Sequence, residues 1–384
     1  MSFHFPVKHQ AADTTIFSVM SALAQKHNAI NLSQGFPDFQ IDSDLSALLH
    51  EASVKGFNQY APMPGLPVLR EAIARDFKAR YNLDVNPETE ITITPGATYA
   101  IYTAFSALLS AGDEVIVLEP AYDSYIPNIE MNAAKAVPVK LSPETFTPDW
   151  QLIKNAITTK TKAIIVNTPH NPTGTIWSKA DWEQLADLLR DTAIYVLSDE
   201  VYEQLVYDGK EHHSVLQHPE LRERSFVLYS FGKAFHNTGW KIGYCIAPPE
   251  FTRAFRRLHQ FLSFSVNTPA QYALAHLMGK ENREAANTLL QNKRDYFNGL
   301  MAETPFKLLQ PSLGSYFQLA SYAQLSDMPD TDYAKMLTEK YGVATIPISA
   351  FYSDKFDAKI LRFCFAKKEE TLKTAVERLK NVEL

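Results

Sequence analysis

Continuous apolar runs alternate with helical patterns through the first two thirds of the chain. The runs that resemble strands span residues 90–94, 114–118, 163–167, 194–198, 226–230 and 242–247. Between them, apolar residues recur at helical spacing from Ala97 to Leu109, and Ser178 with Asp181 predicts a capping box. Strands that are apolar along their whole length are typical of a parallel sheet covered on both faces. The pattern therefore predicts an α/β fold with a mostly parallel wound sheet.

The pattern changes near Thr268. A long helical stretch to Met301 is followed by strand-like pieces at 315–319, 343–346 and 359–365 and by helices at 332–341 and 369–381. Thr331 and Gly342 are the expected N-cap and C′ residues of the first of these helices. We therefore predict three parts. They are an N-terminal arm with part of a small domain (1–40), a large domain (41–275) and a smaller α+β domain (276–384).

Composition narrows the class of protein. The chain has 384 residues, a formal net charge of −6 and a pI near 6.0, which argues against a nucleic-acid partner. No run of 18 apolar residues predicts a membrane span, and the first residues lack the pattern of a signal peptide. The two cysteines, Cys245 and Cys364, lie in apolar runs, as expected of reduced thiols. We therefore expect a cytoplasmic protein.

Residues that could bind a ligand through polar, aromatic or backbone groups follow the predicted strands. They are Gly96, Ala97 and Thr98; Tyr122; Asn171; Asp199 and Tyr202; and Ser230 and Lys233. Because open α/β sheets bind ligands beyond the carboxyl ends of their strands, these residues are expected to converge on one site.

Lys233 stands in an apolar setting, between Phe231, Ala234 and Phe235 and eight residues before Lys241. An ordinary lysine has a pKa of about 10.4, so very little of it is neutral at pH 7. Apolar surroundings and a second cation would lower that pKa. Lys233 is therefore a candidate for the amine that attacks a carbonyl group.

The converging residues match a cofactor that carries a phosphate, a ring nitrogen and an aldehyde. The expected phosphate ligands are Gly96, Ala97 and Thr98 at a helix start, with Ser230 and Lys241. Asp199 would pair with a protonated ring nitrogen, and Tyr122 would stack on the ring. Asn171 and Tyr202 would bind the ring hydroxyl oxygen. The cofactor with these groups is pyridoxal 5′-phosphate, joined through Lys233.

The chain resembles a class I aminotransferase of the fold-type I pyridoxal phosphate superfamily. The matching motifs are Asn171-Pro172-Thr173-Gly174, Asp199-Glu200-Val201-Tyr202, Ser230-x-x-Lys233-x7-Lys241 and Leu361-Arg362-Phe363, which occur in the family's order across nearly the whole chain. The chain is most similar to the branch of kynurenine, glutamine and methionine aminotransferases. That resemblance rests on Ser33–Phe39, Tyr60 with Gly65, Gly239-Trp240-Lys241 and Arg362-Phe363-Cys364-Phe365. Lysine at 241, where many members have arginine, keeps the charge but loses bidentate phosphate geometry.

The resemblance implies further roles. Lys233 would move the proton between the substrate Cα and the cofactor, and Arg362 would bind the substrate α-carboxylate with help from Asn171 and the backbone at Gly35. Tyr60 would reach the phosphate in the neighbouring subunit. That role implies a homodimer with shared active sites.

The substrate side chain is expected to be uncharged. An acidic side chain would need a second arginine, and the candidate lining segment Phe261–Asn267 has none. With Phe36 and Tyr99 as further aromatic candidates, we expect a neutral apolar, sulfur-containing or aromatic L-amino acid, methionine above all, with a 2-oxo acid as acceptor.

Two alternatives share the same fold and lysine. The first is a pyridoxal phosphate carbon–sulfur β-lyase that acts on cysteine conjugates. The second is a non-catalytic cofactor-binding sensor module, although such modules follow a basic DNA-binding domain and only about forty residues precede the pocket motifs. No histidine pair has metal-ligand spacing, so no metal is expected.

Overall fold

The structure is a computed structural model that describes residues 14–280 and 283–383. Residues 1–13 of the predicted arm lie outside the described residues. The strands are β1 (Ile30–Asn31), β2 (Ile91–Thr94), β3 (Glu114–Glu119), β4 (Lys135–Lys140), β5 (Thr161–Asn167), β6 (Tyr195–Asp199), β7 (Ser225–Ser230), β8 (Gly243–Ile246), β9 (Lys307–Leu308), β10 (Phe317–Ser321), β11 (Val343–Ala344), β12 (Ile346–Pro347) and β13 (Ile360–Cys364).

The helices surround these strands. They are α1 (Ile16–Lys26), α2 (Ser43–Val54), α3 (Pro67–Tyr81), α4 (Ala97–Leu108), α5 (Tyr125–Glu130), α6 (Trp150–Ala156), α7 (Lys179–Leu189), α8 (Pro219–Arg222), α9 (Phe231–Ala234), α10 (Pro249–Leu262), α11 (Thr268–Leu277), α12 (Arg283–Met301), α13 (Asp330–Lys340) and α14 (Glu369–Leu379). The capping box predicted for α7 is confirmed: Ser178 and Asp181 exchange side-chain and backbone hydrogen bonds.

A seven-stranded sheet forms the centre of the fold, in the order β2-β8-β7-β6-β5-β3-β4. The pairs from β7 to β4 are parallel, whereas β8 is antiparallel to both of its neighbours. In β5, Ile164 and Val166 face one buried cluster and Ala163 and Ile165 face the other. Apolar cover on both faces explains why this strand has no polar alternation, and the predicted α/β fold is confirmed.

Two smaller sheets lie outside this centre. One is antiparallel, in the order β12-β13-β10-β9, and the other joins β1 to β11 in parallel. Because β1 comes from the N-terminal part and β11 from the C-terminal part, the beginning of the described chain packs with its end. The domain boundaries themselves remain a prediction.

The structure differs from the sequence prediction at several elements. The single helix expected from Thr268 to Met301 is wrong, because α11 ends at Leu277 and Gly279 takes a left-handed φ of 84°. Strand β4 was not predicted. Nor was α10, whose buried face carries Phe255 and His259 at a four-residue spacing. At α13 the N-cap is Pro329 rather than Thr331, although Gly342 has the expected positive φ of 69°.

No helix among the described residues is both long and apolar enough to cross a bilayer.

Candidate active site

A cavity of about 630 Å³ lies at the carboxyl ends of the parallel strands. It is lined by every residue of the predicted site except Tyr60, namely Gly35, Gly96, Ala97, Thr98, Tyr122, Asn171, Asp199, Tyr202, Ser230, Lys233, Lys241 and Arg362. These residues come from positions 35 to 362 of the chain. The wound sheet therefore brings the predicted residues into one site.

One end of the cavity is built to hold an anion. Helix α4 begins at Ala97, and Gly96 before it has a φ of 81°, a conformation that favours glycine. A Cβ placed on Gly96 would lie 3.5 Å from Lys241 Nζ, so the ammonium group sits beside the helix start. Ser230 and Thr238 line the same cavity. A helix N-terminus, an ammonium group and hydroxyl groups together suit a phosphate.

Asp199 is the last residue of β6 and is buried. Its Oδ2 accepts a hydrogen bond from the Tyr125 hydroxyl at 2.5 Å, and its Oδ1 accepts one from the Val201 amide at 3.3 Å. Burial raises the pKa of Asp199 to about 6, while the two hydrogen bonds and Lys233 oppose the rise. The carboxylate is therefore poised to pair with a cationic N–H group.

Lys233 lies in α9, directly after β7. Its Nζ donates to the Gly35 carbonyl at 3.4 Å and lies 5.6 Å from the Tyr202 ring centroid and 5.7 Å from that of Tyr316. The pKa of Lys233 is lowered to about 8, chiefly by burial; the positive charges of Arg362 and Lys241 act in the same direction, whereas Cys364 and Asp199 oppose the shift. The lowered pKa that was predicted from the apolar setting is confirmed, with Arg362 as an additional cause.

Arg362, on β13, is 1% exposed. Its guanidinium donates to Asn171 Oδ1 and to the Ser33 carbonyl, each at 2.7 Å, and stacks 3.9 Å from the Phe317 ring centroid. Its Nε is buried without a hydrogen-bond partner among the described residues. Burial lowers the pKa of Arg362 to about 10. A buried cation with an unpaired N–H group is suited to bind a carboxylate.

The predicted lining of the substrate pocket needs a correction. Neither Phe261–Asn267 nor Tyr99 lines the cavity of this chain. Phe261 is 89% exposed at the end of α10, and the Tyr99 hydroxyl hydrogen-bonds His259 Nδ1 at 2.9 Å instead. Phe36 does line the cavity, as expected, and Phe17 and Phe317 provide aromatic surface that was not predicted.

Several other functional candidates were missed from the sequence. Tyr125, Asp123, Ser124 and Thr238 all bear on the site. Tyr125 and Thr238 each lie within a few residues of a predicted site residue, on a short helix or turn. Their proximity to Tyr122 and Lys241 in the sequence was the signal that could have identified them.

Comparison with known proteins agrees with this site. The model of the family described as aminotransferase class I and II matches residues 27–379. The methionine aminotransferase of Escherichia coli K12 is 45% identical over 96% of each chain. The kynurenine–oxoglutarate transaminase of Dictyostelium discoideum is 34% identical, over 99% of this chain and 97% of that protein. The solved structure of YbdL from E. coli, identified with a methionine aminotransferase function, has a TM-score of 0.95 at 44% identity, covering 99% of this chain and 100% of that one.

The chain therefore belongs to the class I and II aminotransferase family. It is an aminotransferase of the fold-type I group, and its cofactor is pyridoxal 5′-phosphate. The residues present fit that cofactor. The anion-binding end suits its phosphate, Asp199 suits its ring nitrogen, and an amine of lowered pKa suits its aldehyde.

Proposed function

We propose that this enzyme transfers the amino group of a neutral L-amino acid, with methionine favoured, to a 2-oxo acid. The observation that carries the proposal is the shared cavity of Lys233, Asp199 and Arg362, which joins an amine, a carboxylate and a carboxylate-binding cation. The methionine aminotransferase of E. coli, 45% identical to this chain, supports the choice of amino acid.

Pyridoxal phosphate, when bound, supplies an aldehyde for the amino group and a ring that withdraws electrons from the reacting carbon. Lys233 Nζ would hold that aldehyde before substrate arrives and would then take the proton from the substrate Cα. Because the pKa of Lys233 is lowered to about 8, a useful share of the side chain is neutral near pH 7. The same nitrogen, once protonated, would return the proton.

The remaining predicted residues would hold the cofactor. Gly96, Ala97, Thr98, Ser230 and Lys241 would bind the phosphate, Tyr122 would stack on the ring, and Asn171 and Tyr202 would bind the ring hydroxyl oxygen. Asp199 would keep the ring nitrogen protonated, and the Tyr125 hydroxyl would keep the Asp199 carboxylate ionised and oriented. A protonated ring withdraws electrons best, so the Asp199 charge would assist removal of the Cα proton.

Arg362 would bind the α-carboxylate of either substrate. Asn171 and the Ser33 carbonyl hold its guanidinium in place, and the Phe317 ring supports its face. This fixed geometry would orient the Cα proton toward Lys233.

The substrate class follows from the rest of the lining. Phe17, Phe36 and Phe317 give the cavity apolar walls, which suit a thioether or aromatic side chain. A substrate panel tests the proposal. Methionine and phenylalanine should give a kcat/KM well above that of aspartate. A preference for aspartate would refute it, and release of ammonia and a 2-oxo acid without an acceptor would indicate a β-lyase instead.

We also propose a homodimer with shared active sites, in which Tyr60 reaches the partner's cofactor phosphate. Tyr60 is 83% exposed and packs against Phe264, which is itself exposed, with ring centroids 5.6 Å apart. Exposed aromatic groups of this kind suit a protein interface. Mixing Lys233→Ala with Tyr60→Ala and exchanging subunits should restore activity, because one site of each hybrid would carry neither change. A monomer in sedimentation would exclude the dimer.

A cytoplasmic location completes the proposal. Cys245 and Cys364 are buried free thiols, as expected in a reducing compartment. Fractionation of cells that produce the protein would test this placement.

A further inference from the structure

One charged side chain of the cavity has no part in the chemistry proposed above. Asp123 lies between Tyr122 and Ser124, and all three line the cavity. Its carboxylate forms no ion pair or hydrogen bond with another side chain that the structure describes. The charge of Asp123 is therefore available to act on whatever occupies the cavity.

Of the three cations of the described chain that line the cavity, Arg362 is the one whose charge acts on Asp123. Burial raises the pKa of Asp123, and Arg362 is the first of the groups that lower it, followed by the Asp123 backbone and Lys355. Lys241, at the phosphate end, is not among them. The wall of the cavity that contains Asp123 is therefore under the influence of the cation that would bind the substrate α-carboxylate.

The cations of the cavity are all engaged elsewhere. Among the described residues, the lysines and arginines that line it are Lys233, Lys241 and Arg362. The inference rests on the proposed function, in which Lys233 binds the cofactor aldehyde, Lys241 binds the phosphate and Arg362 binds the substrate α-carboxylate. A second carboxylate on the substrate would find no further lining cation of this chain and would meet the charge of Asp123 in a partly desolvated site.

We infer that Asp123 is a specificity-determining residue that excludes substrates with a second carboxylate. The amino acid that gives the amino group and the 2-oxo acid that receives it would then each carry a single carboxylate. The Asp123 carboxylate would repel the second carboxylate of such a substrate. Specificity of this kind needs no additional residue that binds the favoured substrate.

The neighbouring residue is consistent with a neutral partner. Ser124 lines the same wall, and its hydroxyl is buried without a hydrogen-bond partner among the described residues. A hydroxyl group can accept from or donate to an amide and can donate to a thioether sulfur, whereas the Asp123 carboxylate only accepts hydrogen bonds. The wall formed by these two residues therefore favours neutral or donor-bearing side chains.

Glutamine and glutamate provide the test, because they have nearly the same shape and differ by one charge. The wild-type enzyme should prefer glutamine in kcat/KM, and Asp123→Asn should lower that preference about tenfold by restoring reaction with glutamate. Asp123→Glu should keep the preference. Asp84→Asn, which removes one negative charge from an exposed site outside the cavity, should leave it unchanged.

The outcomes separate the two proposals. If Asp123→Asn still converts methionine but keeps the wild-type preference for glutamine, Asp123 does not set specificity, and the proposed function stands. If the wild-type enzyme converts neither methionine nor any other neutral amino acid, the proposed function is refuted, and the inference about Asp123 is refuted with it. Asp123→Ser repeats the comparison if the asparagine variant does not fold. Loss of methionine turnover in both folded variants would also overturn the inference, because Asp123 would then be needed for every substrate.

Discussion

The Tyr125 hydroxyl donates to Asp199 Oδ2 at 2.5 Å, and both side chains are buried. The hydrogen bond is one of the influences that hold down a pKa that burial alone would raise further. Asp199 must be ionised to pair with a protonated ring nitrogen. Tyr125, which was not among the predicted site residues, therefore helps to keep the Asp199 carboxylate ionised.

Tyr125→Phe tests this coupling. Without the hydroxyl, the pKa of Asp199 should rise above about 6, so less of the carboxylate is ionised near neutral pH. We expect kcat to fall about tenfold at pH 7 and to recover in part at pH 9, because a hydrogen bond to a charged group is lost. The measurement is the pH profile of kcat, whose acidic limb should move to higher pH.

Tyr207→Phe is the matched control. Tyr207 is also a buried tyrosine, but its hydroxyl donates to the Ser315 backbone and it does not line the cavity. Its loss should lower stability without moving the acidic limb. If both variants moved the limb equally, the effect of Tyr125 would be structural.

Asp199→Asn should stabilise the cofactor-free protein while abolishing activity. The pKa of Asp199 is about 6 in the folded state and near 3.8 when exposed, so the folded state disfavours the ionised form. This cost is absent below about pH 4, grows as the pH rises to 6 and is fully present above it. Its size is up to about 3 kcal/mol, from a shift of about two pKa units. Urea unfolding at pH 8 and at pH 4 measures it.

Asp208→Asn is the control for this prediction. Arg294 lowers the pKa of Asp208, so the ionised form is favoured by folding, and its removal should destabilise the protein at pH 8. The two asparagine variants should thus change stability in opposite directions. A cofactor-free Asp199→Asn protein that is no more stable than the wild type at pH 8 would contradict the assigned pKa.

The carboxyl ends of the central strands were predictable because an apolar run stops there and a polar site residue follows at once. An apolar run followed at once by Asp199 or Ser230 marks both the strand and the site. Strand β4 lacked that signal. It lies at the edge of the sheet, has lysine at both ends and a proline inside, and is only partly buried, so its pattern is not that of a central strand.

Two contacts of Arg362 with distant parts of the chain were not predicted from the sequence. The stacking of Phe317 on Arg362 and the hydrogen bond from Arg362 to the Ser33 carbonyl join residues far apart in the chain. Gly35 shows the same limit. A Cβ there would lie 2.6 Å from the Phe317 ring, so any larger residue would force that ring to shift, and no local pattern reveals this close approach.

The reactivity of Lys233 should depend on pH in a manner that an ordinary lysine cannot reproduce. With a pKa of about 8, its neutral fraction rises about tenfold between pH 7 and pH 9 and then levels off. For a lysine with an ordinary pKa of about 10.4, the neutral fraction would rise about a hundredfold between pH 7 and pH 9 and would continue to rise above it. Acetylation of the cofactor-free protein, followed by mass spectrometry, measures the rate at Lys233, with the exposed Lys78 as internal reference. A rate that keeps rising steeply above pH 9 would contradict the lowered pKa.

Arg362→Ala should impair recognition of every amino acid through the loss of one charged pair. The expected cost is roughly 1.5–3 kcal/mol, or about ten- to hundredfold in kcat/KM, and it should be similar for methionine and phenylalanine because both carry the same α-carboxylate. Arg294→Ala is the matched control, since Arg294 is another buried arginine but pairs with Asp208 away from the cavity. It should lower the free energy of unfolding and leave kcat/KM nearly unchanged. If the Arg362 variant bound amino acids as well as the wild type, the α-carboxylate would have to bind elsewhere, and Lys233 would no longer face the Cα proton.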